Sequence, residues 1–182
     1  MTLWVVRHAQ PLIAPGICYG ALDVAADALA TQQAAERLAL ELPQGITVLC
    51  STLQRCERVA QVLSGLRPDL ALKPEPRLVE MNFGVYEGVA WADIPKHALD
   101  VWTADFAHHR FGGQESVAQF MARVAEVWDA WSAQPAKDQV WISHAGVARA
   151  ATVLYSGTRL LINAEHWPTQ APAFGQWITF SN

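Results

Sequence analysis

The stretch LWVVRHAQP, residues 3–11, predicts a buried strand that ends in two polar side chains. Residues 3–6 combine large and β-branched apolar side chains, which is typical of a strand covered on both faces. Arg7 and His8 follow directly. Because a core strand ends in an arginine and a histidine, we expect both side chains to act together at the end of that strand.

The composition predicts a single compact domain over residues 1–182, with 52% apolar and 16% charged residues. The net charge of −4 and the absence of a basic cluster argue against a nucleic-acid partner. No apolar run approaches the roughly 18 residues of a spanning helix, and no signal-peptide pattern precedes the first strand. We therefore expect a cytoplasmic protein with no membrane partner, and the sequence leaves its oligomeric state open.

Strands alternate with helices along the chain, which predicts a single-domain three-layer α/β sandwich, a mostly parallel sheet with helices on both faces. The further strands are predicted at residues 46–50, 139–143 and 174–180, with a short extended piece at 77–84. The predicted helices are residues 28–41 with Asp27 as N-cap, 53–63, 115–133 with Ser116 and Gln119 in a capping box, and one that begins at about residue 146.

Residues 88–113 have no clear periodicity and are predicted to form an irregular excursion above the sheet, a partial lid that sets substrate specificity. Its basic side chains are Lys96, His97, His108, His109 and Arg110. His109 and Arg110 fit either a substrate entrance or a solvated turn, and the sequence leaves both open. Most of the eight tryptophans, such as Trp128 and Trp131 on one helical stripe, are predicted to be core residues.

Three predicted strands are followed by side chains that can bind an anion. These residues are Arg7 and His8 after the first strand, Ser51 and Arg55 after the second, and His144, Ala145 and Gly146 after the strand at 139–143. Ligands of open α/β sheets bind at the carboxyl ends of the strands. Two arginines, two histidines and a helix N-terminus that meet there predict a phosphate site, because a bound phosphate removes the repulsion among like charges.

Attack by a histidine fits these residues better than other chemistry does. Serine hydrolysis lacks the GxSxG motif, and the four residues between Cys50 and Arg55 are too few for the phosphate loop of a cysteine phosphatase. The three cysteines also provide no CxxC motif and no even disulfide framework. A metal site of His8, Glu80 and His144 fits by residue type, but the neighbouring arginines would repel a divalent cation. A neutral imidazole can take a phosphoryl group covalently, so we expect no metal and no cofactor.

Five motifs, in this order along most of the chain, resemble those of the histidine phosphatase superfamily, the phosphoglycerate-mutase-like proteins. They are RHA (7–9), STLQRCERVA (51–60), LVEMNFGVYEG (78–88), GGQESVAQFMARV (112–124) and SHAGVARA (143–150). The resemblance implies the phosphoglycerate-mutase-like fold. It also implies that His8 is the phosphorylated nucleophile, that Arg7, Arg55 and His144 bind the phosphate, and that Glu80 is the general acid.

The loop after His8 departs from the family pattern. The family often has an asparagine there that contacts phosphate, whereas this chain has Ala14, so Gln10 or a backbone N–H is expected to take over. The smaller departures, at Ala9, Thr52 and Ala145, keep small residues. The stretch APGICYGALDV (14–24) resembles instead the loop of the α-ribazole-phosphatase-like branch.

The resemblance implies a phosphatase that hydrolyses a small phosphate monoester, with a small phosphorylated metabolite as its partner. Three alternatives stay open: an α-ribazole-5′-phosphate phosphatase specifically, a phosphoglycerate mutase, and a phospho-ligand binding module without turnover. A mutase usually carries a longer capping insertion than residues 88–113 provide, which favours the phosphatase.

Overall fold

The computed structural model describes residues 1–134 and 137–181. Its strands are β1 (Thr2–Arg7), β2 (Thr47–Cys50), β3 (Ala71–Pro74), β4 (Gln139–Ser143) and β5 (Trp177–Ser181). They form one sheet in the order β3-β2-β4-β1-β5, in which β5 is antiparallel to β1 and the other neighbours are parallel. The predicted mostly parallel sheet is confirmed.

The helices are α1 (Ala28–Glu41), α2 (Gln54–Leu66), α3 (Lys96–Ala104), α4 (Val117–Ser132) and α5 (Ala145–Tyr155). Single 3-10 turns lie at Pro76–Leu78, Gly84–Tyr86, Trp91–Asp93, Phe111–Gly113 and Ala164–His166. None of the described helices combines the length and the hydropathy that crossing a membrane requires.

The alternation of side chains along β1 explains the three layers. Leu3 and Val5 belong to the hydrophobic cluster on the side of α4 and α5, whereas Val6 belongs to the cluster on the side of α1 and α2. All three side chains are at most 1% exposed. Burial of each contributes roughly 1.5–3 kcal/mol, so a polar residue on either face of this strand would weaken one of the two cores.

Local sequence rules place the starts of two helices correctly. The Asp27 carboxylate accepts a hydrogen bond from the N–H of Ala30 at 2.7 Å, which caps α1. Ser116 and Gln119 form both halves of the predicted capping box at the start of α4. The predicted core positions of Trp128 and Trp131 on α4 are confirmed as well.

The prediction of an irregular segment over residues 88–113 is wrong in part, because α3 lies inside it. No residue of α3 is fully buried, so its hydrophobic stripe is weak in the sequence. The segment is held by Phe111, whose ring stacks on Tyr86 at 4.6 Å and on Trp102 at 4.4 Å between centroids. An aromatic cluster therefore takes the place of a long helical core stripe.

Two further elements were mispredicted. Strand β3 was missed because all four of its residues are exposed, and its Lys73 and Pro74 are typical of a protected sheet edge rather than of a core strand. The piece predicted as extended over residues 77–84 begins inside the 3-10 turn Pro76–Leu78.

Candidate active site

A cavity of about 280 Å³, the strand-end cavity, lies at the carboxyl ends of β1 and β4. Its polar wall consists of Arg7, His8, Tyr19, Arg55, Glu80 and Arg149. A larger groove of about 660 Å³ lies at the amino ends of β2 and β4 and contains none of the predicted site residues. The strand-end cavity is therefore the candidate active site.

His8 is buried at the bottom of this cavity, only 2% exposed. Its Nδ1 lies 2.7 Å from the carbonyl oxygen of Ala9. Because a carbonyl can only accept, Nδ1 carries the proton, which leaves the lone pair on Nε2. Burial, and then the positive charges of Arg55 and Arg7, lower the pKa of His8 to about 3. The imidazole is neutral at physiological pH and can act as a nucleophile through Nε2.

Arg55 is fully buried on the first turn of α2 and is fixed by backbone oxygens. Its Nη2 donates to the carbonyl of Gly20 at 2.6 Å and its Nη1 to that of Leu22 at 2.7 Å. Its Nε has no hydrogen-bond partner among the described residues. The guanidinium therefore keeps its full positive charge next to His8 without a neutralising carboxylate.

Arg7 is also held by neutral groups. Its guanidinium carbon lies 3.7 Å from the centroid of the Phe174 ring, and its Nη1 donates to the carbonyl of Pro172 at 3.0 Å. A guanidinium stays charged at any working pH. Arg7 and Arg55 thus place two fixed positive charges beside a neutral imidazole, and Arg149 adds a third guanidinium to the cavity wall. This arrangement suits a phosphate dianion.

Glu80 lies at the N-terminus of α5. Its Oε2 accepts from the N–H of Gly146 at 2.8 Å, and its Oε1 accepts from the N–H of Met81 at 3.1 Å. A Cβ at position 146 would lie 2.1 Å from Oε1 of Glu80, so a larger residue there would displace the carboxylate from its present position. The N–H of Gly146, expected to bind substrate, here orients the predicted general acid, and Ala145 lines the cavity beside it.

His144 is fully buried and does not line the cavity. Its ring packs against that of His8 at 5.3 Å between centroids, and its Nε2 lies 2.8 Å from Oγ of Ser51. Burial, followed by the charge of Arg55, lowers its pKa well below the usual value. The structure brings His144 to the nucleophile, as the strand ends predicted, and its contact with phosphate stays a prediction.

Several other candidates lie outside the cavity. Gln10 is exposed and its amide donates weakly to the carbonyl of Pro11 at 3.5 Å. Ala14 is exposed too. The basic residues of the excursion also do not line the cavity; these are Lys96, His97, His108, His109 and Arg110.

Glu87 is a site residue to which the sequence motifs assigned no role. Its carboxylate accepts hydrogen bonds from three consecutive backbone N–H groups, of Gly20 at 2.8 Å, Ala21 at 3.0 Å and Leu22 at 3.1 Å. The carbonyls of Gly20 and Leu22 are those that hold Arg55. Glu87 therefore positions a phosphate-site arginine through the loop between them.

The rest of the cavity wall is apolar and largely aromatic. It includes Met81, Phe83, Trp91, Trp102, Phe106 and Trp167. Three of the eight tryptophans thus line the cavity, and two of them, Trp102 and Trp167, also pack against the hydrophobic core. The exposure of Trp91, 37% of its surface, places one of these rings at the mouth.

The alternative chemistries find little support in this geometry. Burial raises the pKa of the Cys50 thiol to about 12, which opposes formation of a nucleophilic thiolate. In the part of the chain that the structure describes, no three histidine, cysteine or carboxylate side chains are grouped so that they could hold a metal ion.

The chain is similar to one known protein family and to several solved structures. The sequence model of the histidine phosphatase superfamily (branch 1) matches residues 3–167. No curated protein matches the chain.

Among solved structures, the α-ribazole phosphatase of Shigella flexneri superposes with a TM-score of 0.80 at 23% identity, covering 98% of this chain and 89% of that one. A mycobacterial glucosyl-3-phosphoglycerate phosphatase gives 0.78 at 23% identity, covering 99% and 89%. A protein from Thermus thermophilus gives 0.70 at 26% identity, covering 98% and 92%. These likenesses show a shared fold.

Proposed function

Because the chain belongs to the histidine phosphatase superfamily, we propose that it hydrolyses a small phosphate monoester through a phosphohistidine intermediate on His8. One observation carries the proposal: a buried, neutral imidazole, with its proton fixed on Nδ1, lies beside the guanidiniums of Arg7 and Arg55. A cavity of about 280 Å³ suits a small metabolite.

The first step transfers the phosphoryl group to the protein. The Nε2 lone pair of His8 attacks phosphorus and the ester P–O bond breaks, while the two guanidiniums neutralise the charge on the phosphoryl oxygens. Glu80, protonated at this stage, gives its proton to the departing alkoxide. The N–H of Gly146 holds the carboxyl group in place for this transfer.

The second step returns the protein to its starting state. The Glu80 carboxylate takes a proton from a water molecule, whose oxygen attacks the phosphorus of phosphohistidine. The N–P bond breaks, its electron pair returns to Nε2 of His8, and inorganic phosphate leaves. Glu80 is protonated again and ready for the next ester.

Hydrolysis of p-nitrophenyl phosphate in the presence of EDTA tests the proposal. We expect activity for the wild type and none for His8→Ala. The matched control is His108→Ala, an exposed histidine outside the cavity, which should keep full activity. A protein-bound phosphoryl label that survives alkali and is lost in acid should form on the wild type and not on His8→Ala. An active His8→Ala variant would refute the nucleophile assignment, and activity that EDTA removes would favour the metal alternative.

The two remaining reaction types are separated by different substrates. Rapid interconversion of phosphoglycerates in the presence of 2,3-bisphosphoglycerate would favour the mutase over the phosphatase. Binding of inorganic phosphate without turnover of any ester would favour the binding module.

The aromatic wall favours a second, narrower candidate, an ester whose alcohol carries an aromatic group. α-Ribazole-5′-phosphate is such an ester, and it is the one that the resemblance of residues 14–24 implies. Burial of one ring against Trp91, Trp102 and Trp167 is worth roughly 1.5–3 kcal/mol, or about tenfold to a hundredfold in kcat/KM.

Benzyl phosphate and glycerol phosphate test this preference, because their alkoxides are of similar basicity and only one of them carries a ring. We expect kcat/KM to be at least about tenfold higher for benzyl phosphate, and Trp91→Ala to reduce that ratio. Equal values for the two esters would reject an aromatic alcohol, and α-ribazole-5′-phosphate would then lose its support from the cavity.

A further inference from the structure

Several donors that the sequence pattern suggests are not available to a phosphoryl group in the strand-end cavity, although Arg149 adds a third guanidinium to its wall. The N–H of Gly146 already donates to Glu80. His144 lies behind the nucleophile, and Gln10 lies outside the cavity. Among the described residues that line the cavity, Tyr19 is the one that carries a hydroxyl group.

Tyr19 lies near both the nucleophile and a phosphate-site arginine. Its half-buried ring approaches that of His8 edge-on, at 6.5 Å between centroids with the planes at 66°. The guanidinium carbon of Arg55 lies 5.3 Å from the centroid of the Tyr19 ring. The phenol therefore borders the space in which the phosphoryl group must lie during transfer to His8.

The backbone next to Tyr19 is fixed from two sides. The Glu87 carboxylate accepts from the N–H groups of residues 20–22, and Arg55 donates to two carbonyls of the same residues. A Cβ at Gly20 would lie 1.8 Å from the carbonyl oxygen of Met81, so the loop also packs closely against its neighbour. A side chain carried by such a loop loses little conformational entropy when it binds a ligand.

The Tyr19 hydroxyl is protonated and can donate a hydrogen bond. Burial raises the pKa of Tyr19 more than the charges of Arg7 and Arg55 lower it, so the hydroxyl keeps its proton at neutral pH. The hydroxyl interacts with the Arg7 guanidinium, which can only donate. The phenol proton thus stays available to another acceptor.

We propose that Tyr19 binds the phosphoryl group, its hydroxyl donating a hydrogen bond to a non-bridging phosphoryl oxygen where the loop after His8 lacks a side-chain amide. This assignment rests on the proposed function of the cavity. A residue that contacts the transferred phosphoryl group should affect kcat/KM equally for every ester. A residue that contacts the alcohol should affect some esters more than others.

Tyr19→Phe tests the assignment, with Tyr86→Phe as the matched control because Tyr86 stacks on Phe111 and does not line the cavity. Loss of one hydrogen bond to a charged group should weaken binding of inorganic phosphate, measured by calorimetry, by about tenfold to a hundredfold. The value of kcat/KM should fall by the same factor for benzyl phosphate and for glycerol phosphate. The thermal midpoint of unfolding should stay that of the wild type, and Tyr86→Phe should change neither phosphate binding nor kcat/KM.

Two results would overturn the proposal. Unchanged phosphate affinity in Tyr19→Phe would remove the contact with the phosphoryl group. A loss of kcat/KM confined to one ester would assign Tyr19 to the leaving alcohol instead. Should the wild type hydrolyse no ester, the proposed function fails, and the phosphate titration still decides the role of Tyr19.

Discussion

Gly146→Ala should misplace the general acid while leaving the phosphate site intact. The added Cβ would lie 2.1 Å from Oε1 of Glu80 and 2.9 Å from its Cδ, where ordinary contacts begin at 3.4 Å. The carboxyl group must therefore retreat by roughly 1 Å, a displacement that can cost about 10²-fold in rate when it separates reacting groups. The guanidiniums of Arg7 and Arg55 do not touch position 146, so phosphate binding should persist.

The choice of ester isolates this effect. Glycerol phosphate releases a basic alkoxide that needs a proton from Glu80, so its kcat/KM should fall by about 10²-fold. p-Nitrophenyl phosphate releases a phenolate that leaves without a proton, so its kcat/KM should fall by no more than about threefold. The parameter kcat/KM reports the transfer to His8 and excludes the later step in which Glu80 activates water.

Stability provides the control for this variant. Alanine is the better helix former by up to about 1 kcal/mol, so the thermal midpoint of Gly146→Ala should not fall by much. Gly65→Ala, on the last turn of α2 with no atom within 4 Å of its new Cβ, should leave both activities unchanged. The reasoning is refuted if Gly146→Ala lowers kcat/KM equally for the two esters, or if it lowers neither.

Three further perturbations have defined outcomes. Arg55→Lys loses the forked contact with two carbonyls and should lower kcat/KM by about 10²–10³-fold in steady-state assays; a loss below threefold would contradict this. Glu87→Ala leaves three N–H groups of residues 20–22 without their acceptor and should lower the free energy of unfolding in urea by about 2 kcal/mol; unchanged stability would show that the loop needs no anchor. The pKa of His8, lowered to about 3, means that the unfolded chain binds more protons below pH 6.5. Stability should therefore fall by roughly 1 kcal/mol from pH 7.5 to 5.5 on account of this group, and His8→Asn should reduce that slope.

The sequence predicted the centre of the site because the inner strands are recognisable. Strands β1 and β4 are continuous apolar runs that are buried on both faces. Parallel pairing aligns Arg7 with Ser143, the residue before His144. Once the strands and their direction are known, the residues at their carboxyl ends must meet. The same reasoning placed Arg55, which follows β2 on the first turn of its helix.

The rest of the site depends on contacts that periodicity does not encode. The carboxylate of Glu87 accepts a hydrogen bond from the N–H of Gly20, which lies 67 positions earlier in the chain. The local sequence around Glu87 shows only a carboxylate followed by a glycine, Gly88, and does not predict this contact. Tyr19 lies on a loop whose path is set by those bonds. The aromatic wall combines rings from separate segments, such as Phe83 and Trp167, and a hydrophobic residue on a loop looks the same in the sequence whether it covers a core or a ligand.

The arrangement of the two arginines explains how the site keeps its charges when no anion is bound. Like charges beside a buried imidazole are costly, and burial lowers the pKa of Arg7 accordingly. Backbone oxygens and an aromatic face offset that cost. Arg55 donates hydrogen bonds to two carbonyls, and Arg7 donates to one carbonyl and packs against the Phe174 ring. Neutral partners hold a guanidinium in place without cancelling its charge, whereas a carboxylate would have to be displaced by the substrate. The orientation of the two guanidiniums is therefore fixed during folding. Their positive charges also keep His8 unprotonated. The anion site and the nucleophile thus depend on the same pair of charges.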